Sequence, residues 1–293
     1  MEWFIEICEH LKRRFVPIHY DATFHSAEQY YTSVYMDYIQ PFLAQMEDRF
    51  PLNFLDAGCG TGRFLVPFAN KGHRMTAIDF HKDSLRIAIK NAREANAEIE
   101  AHDGNFEVVL NRFDDNSFDA VMAIESLHTS KNRTAVMREL SRVLRPGGFL
   151  FATHRPRFYF LARALAKGAL DDALLIAQQT QGRLRKKVHR IHYNWQSKAD
   201  IEELYPKLGL LIRDMYSIGP YSGCESDPKA SICDPQQLSQ TQREKLKQVE
   251  CNADAEAMMA SRYVLVIARK EGHPKEEGHS SSRRIARSES HAI

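Results

Sequence analysis

Three glycines at alternate positions, directly after an apolar run, are the residues of this chain best suited to hold a ligand. The apolar run at 54–57 contains the acid Asp56, and Gly58, Gly60 and Gly62 follow it. Glycine adopts backbone angles closed to other residues and places no side chain between backbone and ligand. A helix after such a turn begins with unpaired N–H groups. The pattern therefore predicts a strand-to-helix turn that binds an adenosine-containing cofactor against bare backbone.

The spacing of the glycines separates two kinds of cofactor. A dinucleotide-binding turn, G-x-G-x-x-G, would need glycine at position 63, which is Arg63. Residues 73–79 are typical of a second strand that ends in an acid, Asp79. An acid at that point can accept hydrogen bonds from two ribose hydroxyls. The alternative is that Asp79 caps the helix that begins near Asp83.

Candidate catalytic residues follow the predicted fourth and fifth strands. Substrates of doubly wound folds lie beyond the carboxyl ends of the strands. Glu125 and His128 follow the fourth strand, and His154 and Arg155 follow the fifth. Histidine titrates near neutral pH, so His128 is the first candidate for a general base and His154 the second. Glu125 could hold an amino group of the cofactor or a substrate cation. For each histidine the alternative is a surface or packing role.

The elements that must position these residues alternate along the chain. Of its 293 residues, 43% are hydrophobic, which is enough for a sizeable core. Short apolar strands alternate with helical segments, a pattern that predicts a parallel sheet covered on both faces. The predicted organisation is a helical cap at 1–51, a domain at 52–270 whose insertions at about 155–195 and 219–254 form a substrate cap, and a disordered tail at 271–293. Within the first cap, helices are predicted at 2–15 and 26–48.

Several ordered motifs give the domain a family resemblance. They are the D-x-G-x-G-x-G turn at 56–62, the acid Asp79, the Phe-Asp strand entry in 117–124, the Arg-Pro-Gly-Gly turn in 144–151 and a last strand at 262–269. Together they resemble the class I S-adenosylmethionine-dependent methyltransferases, in particular those acting on small molecules. The resemblance implies an α/β, Rossmann-like fold with a doubly wound, mostly parallel seven-stranded sheet and a C-terminal antiparallel strand.

The same resemblance implies S-adenosyl-L-methionine as the cofactor and assigns residues to it. In the family, an acid after the third strand contacts the adenine amino group, a role that would fall to Asp103; the alternative is a polar turn. The cofactor-binding residues that the resemblance implies are Asp56, Gly58, Cys59, Gly60, Gly62, Asp79, Phe80, Asp103, Gly104 and Ile124.

Two absences favour a small-molecule acceptor. The Asn/Asp-Pro-Pro-Tyr/Phe motif that often marks enzymes acting on base or amide nitrogens is replaced by Ile-Glu-Ser-Leu at 124–127. No cysteine occurs between Cys59 and Cys224, where an RNA cytosine-5 enzyme would carry its nucleophile. We therefore expect in-line methyl transfer to an O, N or C atom of a small molecule.

The sequence is also compatible with other functions. Residues 155–190 hold nine Lys and Arg residues against two Asp, which would suit an RNA or protein methyltransferase, or simply a solvated surface. A nicotinamide oxidoreductase is disfavoured by Arg63. A protein that binds the cofactor without catalysis is the fourth possibility.

Composition narrows the class of protein. Five cysteines without a C-x-x-C pair argue against a disulfide framework and against a zinc site, so no metal is expected. The acidic start predicts no signal peptide, and the apolar stretch 158–177 is interrupted by Arg163, Lys167, Asp171 and Asp172, so it cannot span a bilayer. The formal net charge is +2. These features predict a cytoplasmic enzyme whose oligomeric state is open.

Overall fold

Nine strands form the framework of the computed structural model, which describes residues 26–186, 189–224 and 227–272. The helix predicted at 2–15 and the tail from 273 onward lie outside these residues. The strands are β1 (Asn53–Ala57), β2 (Arg74–Asp79), β3 (Ile99–Asp103), β4 (Phe118–Ala123), β5 (Leu144–His154), β6 (Gln181–Lys186), β7 (His189–Asn194), β8 (Leu210–Ile218) and β9 (Tyr263–Lys270).

Seven of these strands form one sheet in the order β3–β2–β1–β4–β5–β9–β8. The strands from β3 to β5 pair in parallel, whereas β9 runs antiparallel to both β5 and β8. The direction of the chain along the sheet reverses beside β1, so β1 and β4 flank the switch point where ligands of doubly wound folds bind. The predicted fold, including its C-terminal antiparallel strand, is confirmed.

Helices cover the sheet and connect its strands. They are α1 (Ser26–Leu43), α2 (Leu65–Asn70), α3 (Lys82–Glu94), α4 (Phe106–Val109), α5 (Arg133–Val143), α6 (Arg157–Ala166), α7 (Leu170–Gln178), α8 (Lys198–Leu204), α9 (Gln240–Cys251) and α10 (Ala255–Met259). The helix predicted at 26–48 is shorter in the structure, because α1 ends at Leu43 and a 3₁₀ segment, Ala44–Arg49, follows. In the described residues no helix is both long and apolar enough to cross a membrane.

Strand alternation divides the core into two layers. Successive residues of a strand point to opposite faces. On β5, Phe149 and Phe151 join a cluster with Tyr31 and Tyr35 of α1. Leu150 and Ala152 join a second cluster on the opposite face, which also holds α5 and α8. Helix α1, the described part of the predicted N-terminal cap, therefore packs on the same face of the sheet as Phe149 and Phe151.

A smaller core lies within the segment between β5 and α8. Helices α6 and α7 pack with the antiparallel hairpin β6–β7 around Trp195, which is fully buried beside Phe160 and Ile176. Asp172 of α7 ties the hairpin down, because its carboxylate accepts hydrogen bonds from the Arg185 backbone N–H and the Arg190 guanidinium. This packed unit occupies most of the stretch predicted as the 155–195 insertion.

Candidate active site

The glycine turn after β1 is held by its own backbone. Gly58, Gly60 and Gly62 have φ values of +89°, +55° and +90°, angles that other residues rarely adopt. The N–H groups of Gly58 and Cys59 donate to the Ile78 carbonyl of β2, and that of Gly62 donates to the Cys59 carbonyl. These N–H groups are engaged within the protein, so the turn does not offer them to a pyrophosphate.

Space around the three glycines differs sharply. A Cβ atom at Gly58 would lie 2.4 Å from the Ser126 Cβ, so this glycine lets the turn pack against the loop after β4. A Cβ at Gly62 would lie 3.2 Å from the Ala88 Cβ, so this glycine allows close packing on α3. A Cβ at Gly60 would meet nothing within 4 Å. The side of the turn at Gly60 therefore opens into a cleft.

Asp79 connects the turn to the next helix. One carboxylate oxygen accepts from the Gly60 N–H at 2.8 Å and the other from the His81 N–H at 2.7 Å. The N-cap of α3 is His81, so the alternative in which Asp79 caps that helix is not what the structure contains. Burial raises the pKa of the Asp79 carboxyl, while the two backbone N–H groups lower it.

Asp56 lines the cleft and has one carboxylate oxygen available to accept a hydrogen bond. Its side chain is buried on β1, and its Oδ2 has no hydrogen-bond partner among the described residues. Burial raises the pKa of this carboxyl to about 7, against the lowering effect of the Arg63 charge. A buried, unpartnered carboxylate oxygen is costly, so a ligand that donates to it would be stabilised there.

Some of the residues predicted to bind the cofactor line this cleft. Its lining is Glu28, Asp56, Gly58, Cys59, Gly60, Thr61, Arg63, Phe64, Ile124 and Glu125. Gly62 and Asp79 adjoin it through the turn. Asp103 of β3 pairs in register with Asp79 and forms an ion pair with Lys82 at 3.2 Å, and the Gly104 N–H donates to the Asp79 carbonyl. Phe80 follows Asp79, so the remaining predicted residues lie together at the ends of β2 and β3.

Arg63 is the main site residue that sequence reasoning missed. Its guanidinium pairs with Glu28 of α1 at 2.5 Å and with Glu125 at 2.9 Å. The Tyr35 hydroxyl also donates to Glu125, at 3.2 Å. Burial alone would raise the pKa of the Glu125 carboxyl, but Arg63 and Arg262 lower it well below its ordinary value. Arg63 therefore joins α1, the glycine turn and the loop after β4.

His128 lies on a different side of the Glu125 loop. It belongs to the short turn Leu127–Thr129, and its ring stacks on Tyr193 at 6.0 Å between centroids and meets the edge of Tyr263 at 5.7 Å. The ring is partly exposed. His128 does not line the cleft at Gly60, and its ring contacts place it beside Tyr193 of β7 and Tyr263 of β9.

His154 lies away from the cleft. It is 1% exposed, and its Nε2 is 2.8 Å from the Tyr205 hydroxyl, which belongs to the core layer of Leu150 and Ala152. Burial lowers the pKa of the imidazole to about 3, helped by the Arg133 charge. A neutral, enclosed histidine on this face lacks access to an acceptor, so the structure does not bring His154 together with Glu125 and His128.

Comparison with known proteins agrees with this geometry. Residues 55–152 match the family model of the methyltransferase domain. A ubiquinone biosynthesis O-methyltransferase of Alkalilimnicola ehrlichii is 30% identical over 147 residues, 46% of this chain and 58% of that protein. Methyltransferase GfsG of Streptomyces halstedii is 33% identical over 119 residues, 40% of each protein. The chain thus spans about half the length of these two curated relatives.

Solved structures share the fold over a longer stretch. A magnesium protoporphyrin IX methyltransferase from Synechocystis PCC 6803 aligns with a TM-score of 0.54 and 13% identity, covering 91% of this chain and 94% of that one. A S-adenosylmethionine-dependent methyltransferase from Methanosarcina mazei aligns with a TM-score of 0.52 and 19% identity, covering 75% and 92%. Residues 55–152 of this chain therefore match a methyltransferase domain, and the chain has the Rossmann-like fold of solved S-adenosylmethionine-dependent methyltransferases.

Proposed function

We propose that this protein transfers the methyl group of S-adenosylmethionine to an O, N or C atom of a small molecule by in-line displacement. The observation that carries the proposal is the cleft at Gly60, open beside a turn whose N–H groups at Gly58, Cys59 and Gly62 are already engaged. Such a cleft suits an adenosine cofactor without pyrophosphate. When bound, this cofactor supplies an electrophilic methyl group on a sulfonium.

The residues around the cleft fit the parts of the cofactor. The Oδ2 of Asp56 can accept from a cationic amino group, a role that Glu125 could share. Asp79 retains free lone pairs for the ribose hydroxyls, since a carboxylate has about four acceptor positions and Gly60 and His81 use two. Asp103 and Gly104, at the adjoining strand end, are the residues we assign to the adenine.

On the acceptor side, the protein must align the nucleophile and exclude water. Alignment alone supplies up to roughly 7–11 kcal/mol of the barrier in well-oriented reactions. A hydroxyl or acidic carbon also has to lose a proton. We assign the removal of that proton to His128, which lies beside Tyr193 and Tyr263. We assign no catalytic role to His154, because its side chain is enclosed in the core. The roles of Glu125 and His128 remain proposals.

The curated relatives favour a small acceptor over RNA or protein. They include O-methyltransferases of ubiquinone biosynthesis and a malonyl-[acyl-carrier protein] O-methyltransferase of Buchnera aphidicola, 34% identical over 108 residues. Part of the basic segment is committed within the fold, because Arg183 and Arg190 donate to each other's carbonyls across the β6–β7 hairpin. We therefore retain the prediction of a cytoplasmic enzyme acting on a small molecule.

Calorimetry tests the cofactor. We expect S-adenosylmethionine and S-adenosylhomocysteine to bind and NADH not to bind. Asp79→Ala should weaken S-adenosylhomocysteine by more than about tenfold, equivalent to roughly 1.4 kcal/mol. Asp115→Ala, which removes a surface carboxylate whose side chain is 69% exposed, is the matched control and should bind normally. Circular dichroism checks that Asp79→Ala is folded. NADH binding in place of the methionine cofactor, or an unchanged affinity in folded Asp79→Ala, would contradict the assignment.

Methyl transfer itself separates the remaining hypotheses. The protein is incubated with cofactor carrying a tritiated methyl group, and either with a panel of phenols, amines and carboxylic acids or with bulk tRNA. We expect tritium in a small product. Label in RNA, with binding that weakens steeply as salt rises, would instead support the RNA methyltransferase.

A further inference from the structure

Two buried arginines lie beyond the carboxyl end of β5, on the acceptor side of the sheet. Arg155 directly follows β5, and Arg262 directly precedes β9. The two strands pair there, with His154 opposite Val264. The Nη1 of Arg155 donates to the Arg262 carbonyl at 3.2 Å. Although 107 positions separate them in the chain, the two residues are neighbours in the structure.

The Arg155 guanidinium stacks on two aromatic rings, and only some of its N–H groups are hydrogen-bonded. Its central carbon lies 3.9 Å from the ring centroid of Tyr159 and 3.8 Å from that of Tyr263. Its Nη2 donates to the Tyr263 hydroxyl at 2.7 Å. Its Nε has no hydrogen-bond partner within the described part of the chain, where no carboxylate forms an ion pair with Arg155 either.

The Arg262 guanidinium also keeps donor capacity. Its Nε donates to Asp227 at 3.0 Å, and its central carbon lies 4.1 Å from the ring centroid of Tyr31. The residue is only 5% exposed, yet its Nη1 has no hydrogen-bond partner among residues 26–186, 189–224 and 227–272. Each guanidinium also lies within reach of the other's positive charge.

Together these features describe a site for an anion. An unmade hydrogen bond at a buried donor costs roughly 1–3 kcal/mol, more at a charged group. Arginine binds carboxylates and phosphates through its planar N–H groups, and the two unpartnered donors here match the two oxygens of a carboxylate. We infer that the methyl acceptor carries a carboxylate, which binds the Nε of Arg155 and the Nη1 of Arg262 between aromatic rings. This inference rests on the proposed methyl transfer and names its substrate class.

The cofactor has a carboxylate of its own, but neither arginine is among the residues that line the cofactor cleft. The glycine turn follows β1, whereas Arg155 follows β5, two strands away across β4. At about 4.8 Å per strand, that separation is about 10 Å, and β9 is a further strand away. Glu125, which follows β4, borders both regions, because it lines the cleft and the charges of Arg262 and Arg155 lower the pKa of its carboxyl. The carboxylate is therefore assigned to the acceptor.

A titration with a matched pair of probes tests the inference. The protein is first saturated with S-adenosylhomocysteine, and benzoate or its uncharged analogue benzamide is then titrated by ligand-observed NMR. Benzoate should bind at least about tenfold more tightly than benzamide, the ratio expected for one charge-assisted contact of roughly 1.4 kcal/mol. Arg155→Met should remove this preference and leave the S-adenosylhomocysteine affinity unchanged. Arg213→Met, an exposed arginine on β8, is the matched control and should keep it.

Three outcomes are distinguishable. If benzoate binds no more tightly than benzamide in the wild-type protein, the inference is wrong, and this comparison needs no variant to fold. If Arg155→Met weakens S-adenosylhomocysteine as much as benzoate, the carboxylate belongs to the cofactor and the acceptor assignment is overturned. If S-adenosylhomocysteine fails to bind before any probe is added, the proposed function itself has failed.

Discussion

Removal of the Arg63 side chain should destabilise the protein strongly. Arg63 is shared by Glu28 and Glu125, and all three side chains are largely buried, with exposed fractions of 11%, 13% and 17%. Arg63→Met removes the direct ion-pair partner of both Glu28 and Glu125. Breaking a buried ion pair from one side costs about 3–5 kcal/mol, because the remaining charge keeps its desolvation penalty. We expect a loss of that size in the free energy of unfolding.

Urea unfolding followed by circular dichroism measures this loss, and a second variant tests its cause. In the triple variant Glu28→Gln, Arg63→Met, Glu125→Gln no buried charge of this cluster is left unpaired, so most of the stability should return. A lost packing contact would not return in the triple variant. If Arg63→Met unfolds at the wild-type urea concentration, or if the triple variant is no more stable than the single one, the reasoning is refuted.

The loss should also depend on pH. Burial raises the pKa of the Glu125 carboxyl, but Arg63 and the other arginines bring it below its ordinary value in the folded wild type. A depressed folded pKa gives stability that is present above the unfolded value of about 4.3 and is lost as the pH falls towards the folded value. Without Arg63 the pKa of Glu125 is depressed less, because only Arg262 and Arg155 still oppose the effect of burial. The stability difference between the two proteins should therefore be largest near pH 7 and should shrink below pH 4.5.

Three further predictions concern the turn and the two histidines. Gly58→Ala should cost roughly 1–3 kcal/mol of stability, because φ is +89° and the new Cβ would overlap Ser126. Gly60→Ala should be more stable than Gly58→Ala, because its Cβ meets no other atom, but calorimetry should show a loss of cofactor affinity. His154→Gln should flatten the fall in stability between pH 6.5 and 4, because the folded pKa of about 3 lies below the unfolded value of about 6.5, so the wild type loses stability as the unfolded state gains a proton; equal slopes would contradict this. His128→Gln should lower kcat by about 10²–10⁴ with an acceptor that needs deprotonation, while the cofactor affinity stays constant; an unchanged kcat would remove His128 as the base.

The glycine turn and its contact with Asp79, which belong to the proposed donor half of the site, could be predicted from sequence because their signals are local. The glycine turn and the acid Asp79 belong to a strand–turn–helix–strand unit, where spacing fixes their relative position. Strand alternation would also have corrected one error. His154 shares the parity of Leu150 and Ala152, which face the α5 and α8 layer, so a period of two already places its side chain away from Thr153 and the cleft.

The rest of the proposed site could not be predicted in this way because its contacts are distant in sequence. Arg63 meets Glu28 across 35 positions, and Arg155 meets Tyr263 across 108. No periodicity relates such residues, and an arginine that is exposed has the same sequence signature as one that is buried. In the sequence, Arg63 indicates only that position 63 lacks the last glycine of a dinucleotide-binding turn. Its pairing with Glu28 exists only because α1 packs over the sheet.

This division of the site has a consequence for specificity. The donor cleft is formed largely by backbone groups and by Asp56 and Asp79, whose geometry the fold itself requires. The acceptor site that we infer depends on two arginine side chains whose remaining bonds go to Tyr263, Asp227 and one carbonyl. Substitution of Arg155 changes few contacts with the sheet and none with the glycine turn. A substitution at Arg155 should therefore change the charge of the acceptor that the protein prefers, while the methyl donor stays the same. Changes of this kind allow one fold to act on many substrates.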